Sequence, residues 1–377
     1  MSEKRILLAA VLKPVNDTRM YEKLGLSLSK LQDTQIHIVG FQAPLPATAP
    51  ANLHFHPLFC FKRLSIERLK AQRLYVDHLY KLKPDLIIVC THELLLPSLR
   101  YCKASGAKLV YDVQENYRLN LTSQKNYPLL VRQFLARGVS RAEKIAAPEV
   151  AHILLAERSY AEELTFLQGR SYTFIENKYK PGETYTLPAT PVKVPQEPLR
   201  LLYSGTIATM YGVFEAVALA AKLYALDQTV TLTIIGYSSR QDTLQQLKQV
   251  IHNKPYIKLI GGDALVPHQQ ILEEIDKSNI GLLPYQPHPS TFRCIPTKLY
   301  EYMAHGLPVL IQQNPLWASI TEANTAGISI DFQDPQPLEL LTRIRQQHFY
   351  TSGLPDDIFW KSEEHKILPI IFDLLYK

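Results

Sequence analysis

Pro296–Val309 reads PTKLYEYMAHGLPV. Pro296 suits a first helical position, Gly306 a C-terminal cap, and Pro308 bars continuation into the apolar run Val309 to Ile311. Lys298 and Glu301, three residues apart, share one face near the positive end of this helix. Just upstream, IGLLPY (Ile280 to Tyr285) reads as a buried strand. The loop from Gln286 to Ile295 therefore runs from a strand's carboxyl end to a helix N-terminus. In open α/β sheets that junction holds phosphates, because unpaired backbone N–H groups and the helix dipole converge on it.

Working outward, the same strand–helix rhythm runs through the chain. Strand-like runs at Ile6 to Val11, Ile36 to Val39, Asp85 to Cys90 and Lys108 to Asp112 alternate with helical patterns at Arg19 to Leu31, Ser65 to Lys83 and Leu94 to Ala104. A βαβ alternation of this kind implies a mostly parallel sheet with helices on both faces. After the Pro-rich, aperiodic stretch YKPGETYTLPATPVKVPQEP (Tyr179 to Pro198) it resumes, with strand candidates at Leu199 to Ser204, Thr229 to Gly236, Tyr256 to Gly261, Asn279 to Leu283 and Leu307 to Ile311. The fold class expected is α/β: two doubly wound, Rossmann-like domains facing across a cleft. The first spans residues 1–180, a linker 181–198, the second 199–358, and a final amphipathic helix, 359–377, packs back toward the first.

The length of 377 residues suits two such domains. No apolar run approaches the roughly 18 residues that span a bilayer, and the apolar opening Ile6 to Leu12 is strand-length and lacks a signal-peptide cleavage site. Cys60, Cys90, Cys102 and Cys294 are scattered without metal-type spacing, so a reducing, cytoplasmic setting and no structural metal are expected. The net charge of +6 is unevenly spread. Residues 1–180 carry 26 Lys plus Arg against 16 Asp plus Glu, and residues 181–377 carry 15 against 19. The basic half either faces an anionic partner, such as a membrane surface, or simply exposes solvated cations.

The first turn of the second half, LLYSGTIATMYGVFEAV, sets Gly205 and Gly212 between a strand and a helix. Backbone amides there suit a diphosphate, with the Ser204 or Thr206 hydroxyl as a further donor, although a plain tight βα turn has the same pattern. A dinucleotide fingerprint G-x-G-x-x-G is absent from both first turns, which argues against NAD.

The second half resembles the family-four retaining glycosyltransferases, the glycosyl transferases group 1 type with GT-B architecture. The segments that carry the resemblance are the turn at Ser204, TLTIIGYSS ending near Gly236, YIKLIGG, and PTKLYEYMAHGLPV, in the same order and spacing. Looser parallels in the first half are VLKPVNDTRMYEKLG, VYDVQENY and IENK. The resemblance implies that Glu301 holds the ribose hydroxyls of a nucleotide sugar and that Lys298 neutralises the departing diphosphate. It places the donor on the Gly205 turn with Ser204, Thr206 and Tyr211, and on Gly236, with the loop through Gly262 and Leu265 near the base.

The departures from the family pattern are specific. Arg293 stands where many relatives carry a first glutamate, eight positions before Glu301, and Thr206 and Tyr211 stand where they carry an arginine and a lysine. Arg293 and Lys298 together would restore the lost positive charge from the opposite loop, since a guanidinium can grip phosphate oxygens at two points. Gln114 replaces a cleft histidine, and glutamine cannot serve as a base near neutral pH. A front-face retaining mechanism tolerates this, because the leaving phosphate takes the acceptor's proton. Asp112 or Glu115 would then orient the acceptor hydroxyl, unless Asp112 merely caps a turn. Asn116 and Tyr117 line the acceptor side with Asn16, Asp17 and Arg19. Asp17 or Thr18 is expected to cap the first helix, and Arg19 either reaches an anionic acceptor or sits on the helix surface.

Two segments concentrate basic charge, Cys60 to Lys83 and Gln124 to Lys144. The second sets Leu129, Leu130, Phe134 and Leu135 beside Lys125, Arg132, Arg137 and Arg141, which suits an interfacial helix or one packed on a sheet. No nucleic-acid module is present. The function expected is a cytoplasmic, membrane-peripheral glycosyltransferase of hexosyltransferase type, serving polysaccharide biosynthesis. It would use a nucleotide-diphosphate sugar and a glycan or lipid-linked acceptor, with no metal and no cofactor. The alternatives are a noncatalytic nucleotide-sugar or glycan-binding scaffold on the same fold, or a sugar-nucleotide epimerase.

Overall fold

The computed structural model describes residues 3–61, 67–123 and 128–377. The expected helix start at Ser65, and Gln124 and Lys125 of the basic segment, lie outside these residues. The chain divides into two compact units, Met1–Lys180 with Trp360–Lys377, and Pro181–Phe359.

In the first unit seven strands form one parallel sheet: β1 (Lys4–Pro14), β2 (Thr34–Phe41), β3 (Leu53–Phe59), β4 (Leu86–Val89), β5 (Lys108–Val113), β6 (His152–Leu155) and β7 (Tyr172–Phe174). Their spatial order is β3-β2-β1-β4-β5-β6-β7. Helices cover both faces, so the inner strands are apolar at consecutive rather than alternate positions, and Ile6 to Ala10 are fully buried. β3 escapes sequence periodicity because it is an edge strand that carries Pro57, a residue a central strand would reject. After β1 the helical pattern expected at Arg19 to Leu31 folds as a π-helical segment, Thr18–Gly25, running into one α-turn, Leu26–Leu28. Asp17 caps it, accepting from the backbone N–H of Arg19 and of Met20, each at 3.0 Å.

The last helix, Trp360–Tyr376, belongs to this unit. Trp360, Ile367 and Ile371 are buried with Met20, Leu24 and Leu28. Trp360 Nε1 donates to Ser27 Oγ at 2.9 Å, and buried Lys178 and Glu363 pair at 2.7 Å. Its apolar stripe thus completes the core beneath the π-helical segment.

The second unit repeats the plan. The expected linker is not structureless, since β8 (Val192–Lys193) lies within it and pairs antiparallel with β15 (His348–Phe349), and the whole stretch belongs to this unit. The main sheet comprises β9 (Arg200–Thr206), β10 (Thr231–Tyr237), β11 (Ile257–Gly262), β12 (Ile280–Leu283), β13 (Val309–Gln312) and β14 (Gly327–Ile330). All pairs are parallel, in the order β11-β10-β9-β12-β13-β14. Strand order reverses between β9 and β12, and the crevice outside the carboxyl ends at such a switch point is where doubly wound sheets take ligands.

The Pro296–Val309 stretch folds as a helix, Thr297–Ala304, between β12 and β13. Pro296 occupies the N-cap, one residue earlier than expected, with extended backbone (φ −61°, ψ 129°). Gly306 adopts a left-handed φ of 64°. The N–H of Gly306 donates to the Met303 carbonyl and that of Leu307 to the Tyr302 carbonyl, both at 2.9 Å, which is a Schellman termination.

Candidate functional site

Three glycines floor the switch point. Gly205, Gly236 and Gly261 are register partners across β9, β10 and β11. A Cβ on Gly236 would stand 1.7 Å from the Gly205 carbonyl oxygen, and one on Gly261 2.5 Å from that of Gly236. No side chain fits at Gly236 or Gly261, and Gly205 adopts a left-handed φ of 91°, so the carboxyl ends of three strands present bare backbone. Gly262 continues the turn, and its carbonyl accepts from the Ser238 N–H at 2.8 Å. Two helix N-termini border the floor. The helix Val213–Leu226 starts at Gly212, where a Cβ would meet the Pro284 carbonyl oxygen at 1.8 Å, and no side chain among the described residues caps it or the Thr297–Ala304 helix. Uncapped helix N-termini of this kind favour anions.

Lys298 brings positive charge onto this floor. Its Nζ donates to the Ser204 carbonyl, lies 4.9 Å and 5.3 Å from the ring centres of Tyr203 and Tyr285, and would stand 3.3 Å from a Cβ on Gly205. Burial lowers its pKa to about 8, against the opposing field of Glu301. Near neutral pH the site therefore holds a poorly hydrated ammonium, poised to bind an anion.

Ser204 is buried, and its N–H and hydroxyl bond the Tyr302 hydroxyl at 3.1 and 2.8 Å. Thr206 is exposed, and its carbonyl accepts from the Tyr203 hydroxyl at 2.8 Å.

Glu301, one helical turn beyond Lys298, accepts a hydrogen bond from His268 Nε2 at 2.5 Å. His268 opens the helix His268–Asp276, which follows the loop carrying the strongly exposed Leu265. Tyr211 packs its ring against Tyr285 at 4.8 Å, and Tyr285 meets Trp317 edge-on at 5.5 Å. The loop carrying Arg293 is anchored on both sides. Asn314 Nδ2 donates to the Phe292 carbonyl at 2.6 Å and Trp317 Nε1 to that of Cys294 at 2.8 Å, while Arg293 itself is exposed.

In the first unit the structure revises several expectations. Asp112 is fully buried, and its two oxygens accept from Arg19 Nε and Nη2 at 2.9 and 2.6 Å and from Gln114 Nε2 at 2.6 Å. It neither caps a turn nor faces an acceptor as placed, because the Arg19 fork takes both oxygens. Arg19 is likewise neither on the helix surface nor open to an anionic acceptor. It is buried and also donates to Asn177 Oδ1 at 3.0 Å. Asn116 is also engaged, its Nδ2 donating to Glu163 at 2.9 Å and its Oδ1 accepting from the Leu119 N–H at 3.0 Å. Tyr117 donates to the Cys90 carbonyl at 3.1 Å and packs against His92. Glu115 is exposed and accepts from Asn120, and Asn16 Nδ2 donates to the Pro44 carbonyl at 3.1 Å.

The sequence reading passed over His268, Tyr302, Tyr203 and Tyr285. Each acts through a residue distant in the chain, and the sole local hint was Tyr302's place beside Glu301 in the decisive helix.

Residues 190–344 match the family described as glycosyl transferases group 1. A comparison with curated proteins gives no match. Among solved structures the chain is similar to a sucrose-phosphate synthase from Thermosynechococcus elongatus, with a TM-score of 0.70 and 14% identity over 98% of this chain and 99% of that one. It is similar to Anabaena HepE in complex with UDP and glucose, with a TM-score of 0.62 and 13% identity over 98% and 100%. A glycosyltransferase from Rickettsia africae gives a TM-score of 0.61 and 12% identity over the full length of both chains. At these identities the likeness establishes the fold, two Rossmann-like domains of GT-B type.

Proposed function

We propose that this chain, whose residues 190–344 match the glycosyl transferases group 1 family, moves a sugar from a nucleoside-diphosphate donor to a glycan or lipid-linked acceptor. The observation that carries the reading is the partly desolvated Lys298 ammonium lying against the Gly205 backbone, with Glu301 one helical turn away. On this reading the cation meets a diphosphate over the glycine floor and the carboxylate holds two vicinal hydroxyls. The HepE complex with UDP-glucose supports a donor of this class on the same fold.

On this reading Lys298, the two helix N-termini and Arg293 neutralise the diphosphate, and Glu301 holds the ribose. As the bond from the sugar's anomeric carbon to the phosphate oxygen breaks, the acceptor oxygen bonds to that carbon on the same face. The acceptor's proton passes to the departing phosphate. Charge growing on that phosphate is met by groups already in place, which is the largest single source of rate in such reactions. The residues at hand supply this charge without a metal. Acceptor recognition falls to the first unit, where Glu115 and Asn16 stand at the ends of β5 and β1. The transferred group on this reading is a hexose.

The test is turnover. The protein incubated with UDP-, GDP-, ADP- or dTDP-hexoses and a panel of glycan and lipid-linked acceptors should release nucleoside diphosphate from one nucleotide class and form a product with the donor's anomeric configuration by NMR. Donor binding without release across the panel would favour the noncatalytic scaffold. An inverted product would overturn retention.

A further inference from the structure

The helix Leu129–Ala146 turns one stripe inward, burying Ala136, Val139, Glu143 and Ala146. Its sole carboxylate is thus inside, with Glu143 Oε1 accepting from the Tyr111 hydroxyl at 3.0 Å. The outward stripe is Leu130, Phe134, Arg137 and Arg141, spaced by four, three and four residues so that they stack along one face. Leu130 is 79% and Phe134 76% exposed, and Val131 and Ile145 are also exposed. Arg137, Arg141 and Lys144 are exposed too. The outer face therefore has an apolar end, a basic end and no acid.

We propose that this helix docks the first unit onto an anionic lipid surface, with Leu130 and Phe134 entering the acyl boundary and Arg137, Arg141 and Lys144 lying among the headgroups. The chemistry commits to that occupant. Two large apolar side chains held almost wholly in water are stabilised by any apolar phase, but a second copy laid along this face would bring its cations against other cations or against the apolar end, with no acid there to answer them. A lipid interface instead offers hydrocarbon and negative charge at adjacent depths, in the order this helix presents them. No helix among the described residues is long and apolar enough to cross a membrane. The inference does not rest on the donor site, and either can fail without the other.

The full-length protein is to be sedimented with vesicles of pure phosphatidylcholine and of equimolar phosphatidylcholine and phosphatidylglycerol. It should partition onto the anionic vesicles alone and be released by high salt. Arg137→Gln/Arg141→Gln/Lys144→Gln should weaken partitioning on the order of 100-fold. Leu130→Ser/Phe134→Ser should weaken it at least about tenfold. Both variants change exposed side chains, so unchanged melting curves show that they fold. Absence of partitioning, equal partitioning onto both vesicles, or an unaffected charge variant would overturn the proposal. So would a dimer in sedimentation velocity that Leu130→Ser/Phe134→Ser dissociates, which would assign the face to a second copy.

Discussion

Lys298→Met should lower kcat/KM by about 10²- to 10³-fold, the usual cost of removing one preorganised charge from a developing anion. The substitution keeps the chain's length and its packing on Tyr203 and Tyr285 while deleting the charge, so the loss reads electrostatics rather than shape. The wild type should carry a signature of the same group. Burial holds the Lys298 pKa at about 8, so the ammonium is present below that pH and lost as pH rises through it. The kcat/KM profile, which reports the free enzyme, should therefore fall on its alkaline side near pH 8. A bound diphosphate favours the cation, so the corresponding limb in kcat should move to higher pH. In Lys298→Met the limb should vanish. Activity within a few-fold of wild type, with the limb intact, would remove Lys298 from the mechanism.

Asp112→Ala should cost about 3–5 kcal/mol of stability and lower the melting temperature by about 10 °C, read by circular dichroism. The Arg19 guanidinium is almost wholly buried, and burial alone would lower its proton affinity. Asp112 outweighs that and holds its pKa above the ordinary value. Removing the carboxylate strands a desolvated cation. Removing both charges should not. Arg19→Met with Asp112→Leu should recover most of the loss, because the desolvation of the two ions goes with their attraction. A single variant that melts like wild type would show that the pair contributes little to the fold. A double variant as unstable as the single one would place the effect in packing.

The sequence made the sheets legible where strands are central and continuously apolar. β1, β4 and β5 in the first unit, and β9, β10 and β12 in the second, were each expected within a few residues of where they lie. Edges were harder to see. β3 carries Pro57 and two histidines, His54 and His56, and β14 is four residues long and begins with a glycine, so neither shows a period that its few buried positions could sustain. The helix after β1 was legible as a helix but not as a π-helical one, since apolar spacing alone cannot tell a π-helical turn from an α-turn.

The candidate site divides along the same line. Lys298 and Glu301 were readable because helix start, spacing and stop all sit in one stretch. The glycine floor was partly readable, as Gly205, Gly236 and Gly261 each end a strand, but their alignment comes from sheet register. The burial of Asp112 by Arg19 joins residues 93 positions apart, and the His268–Glu301 contact joins residues 33 apart. No local pattern encodes such pairs. They arise when β1 is laid beside β4 and β4 beside β5, and when the helix after β11 is folded against the helix after β12.

The most direct test of the donor site is calorimetric titration of UDP-, GDP-, ADP- and dTDP-sugars into the wild type and Glu301→Ala. Binding of one nucleotide class to the wild type, weakened at least tenfold in the variant, a difference of about 1.4 kcal/mol, is the predicted result. No binding of any donor to the wild type, or equal binding to both proteins, would contradict the assignment of a nucleotide sugar to this floor.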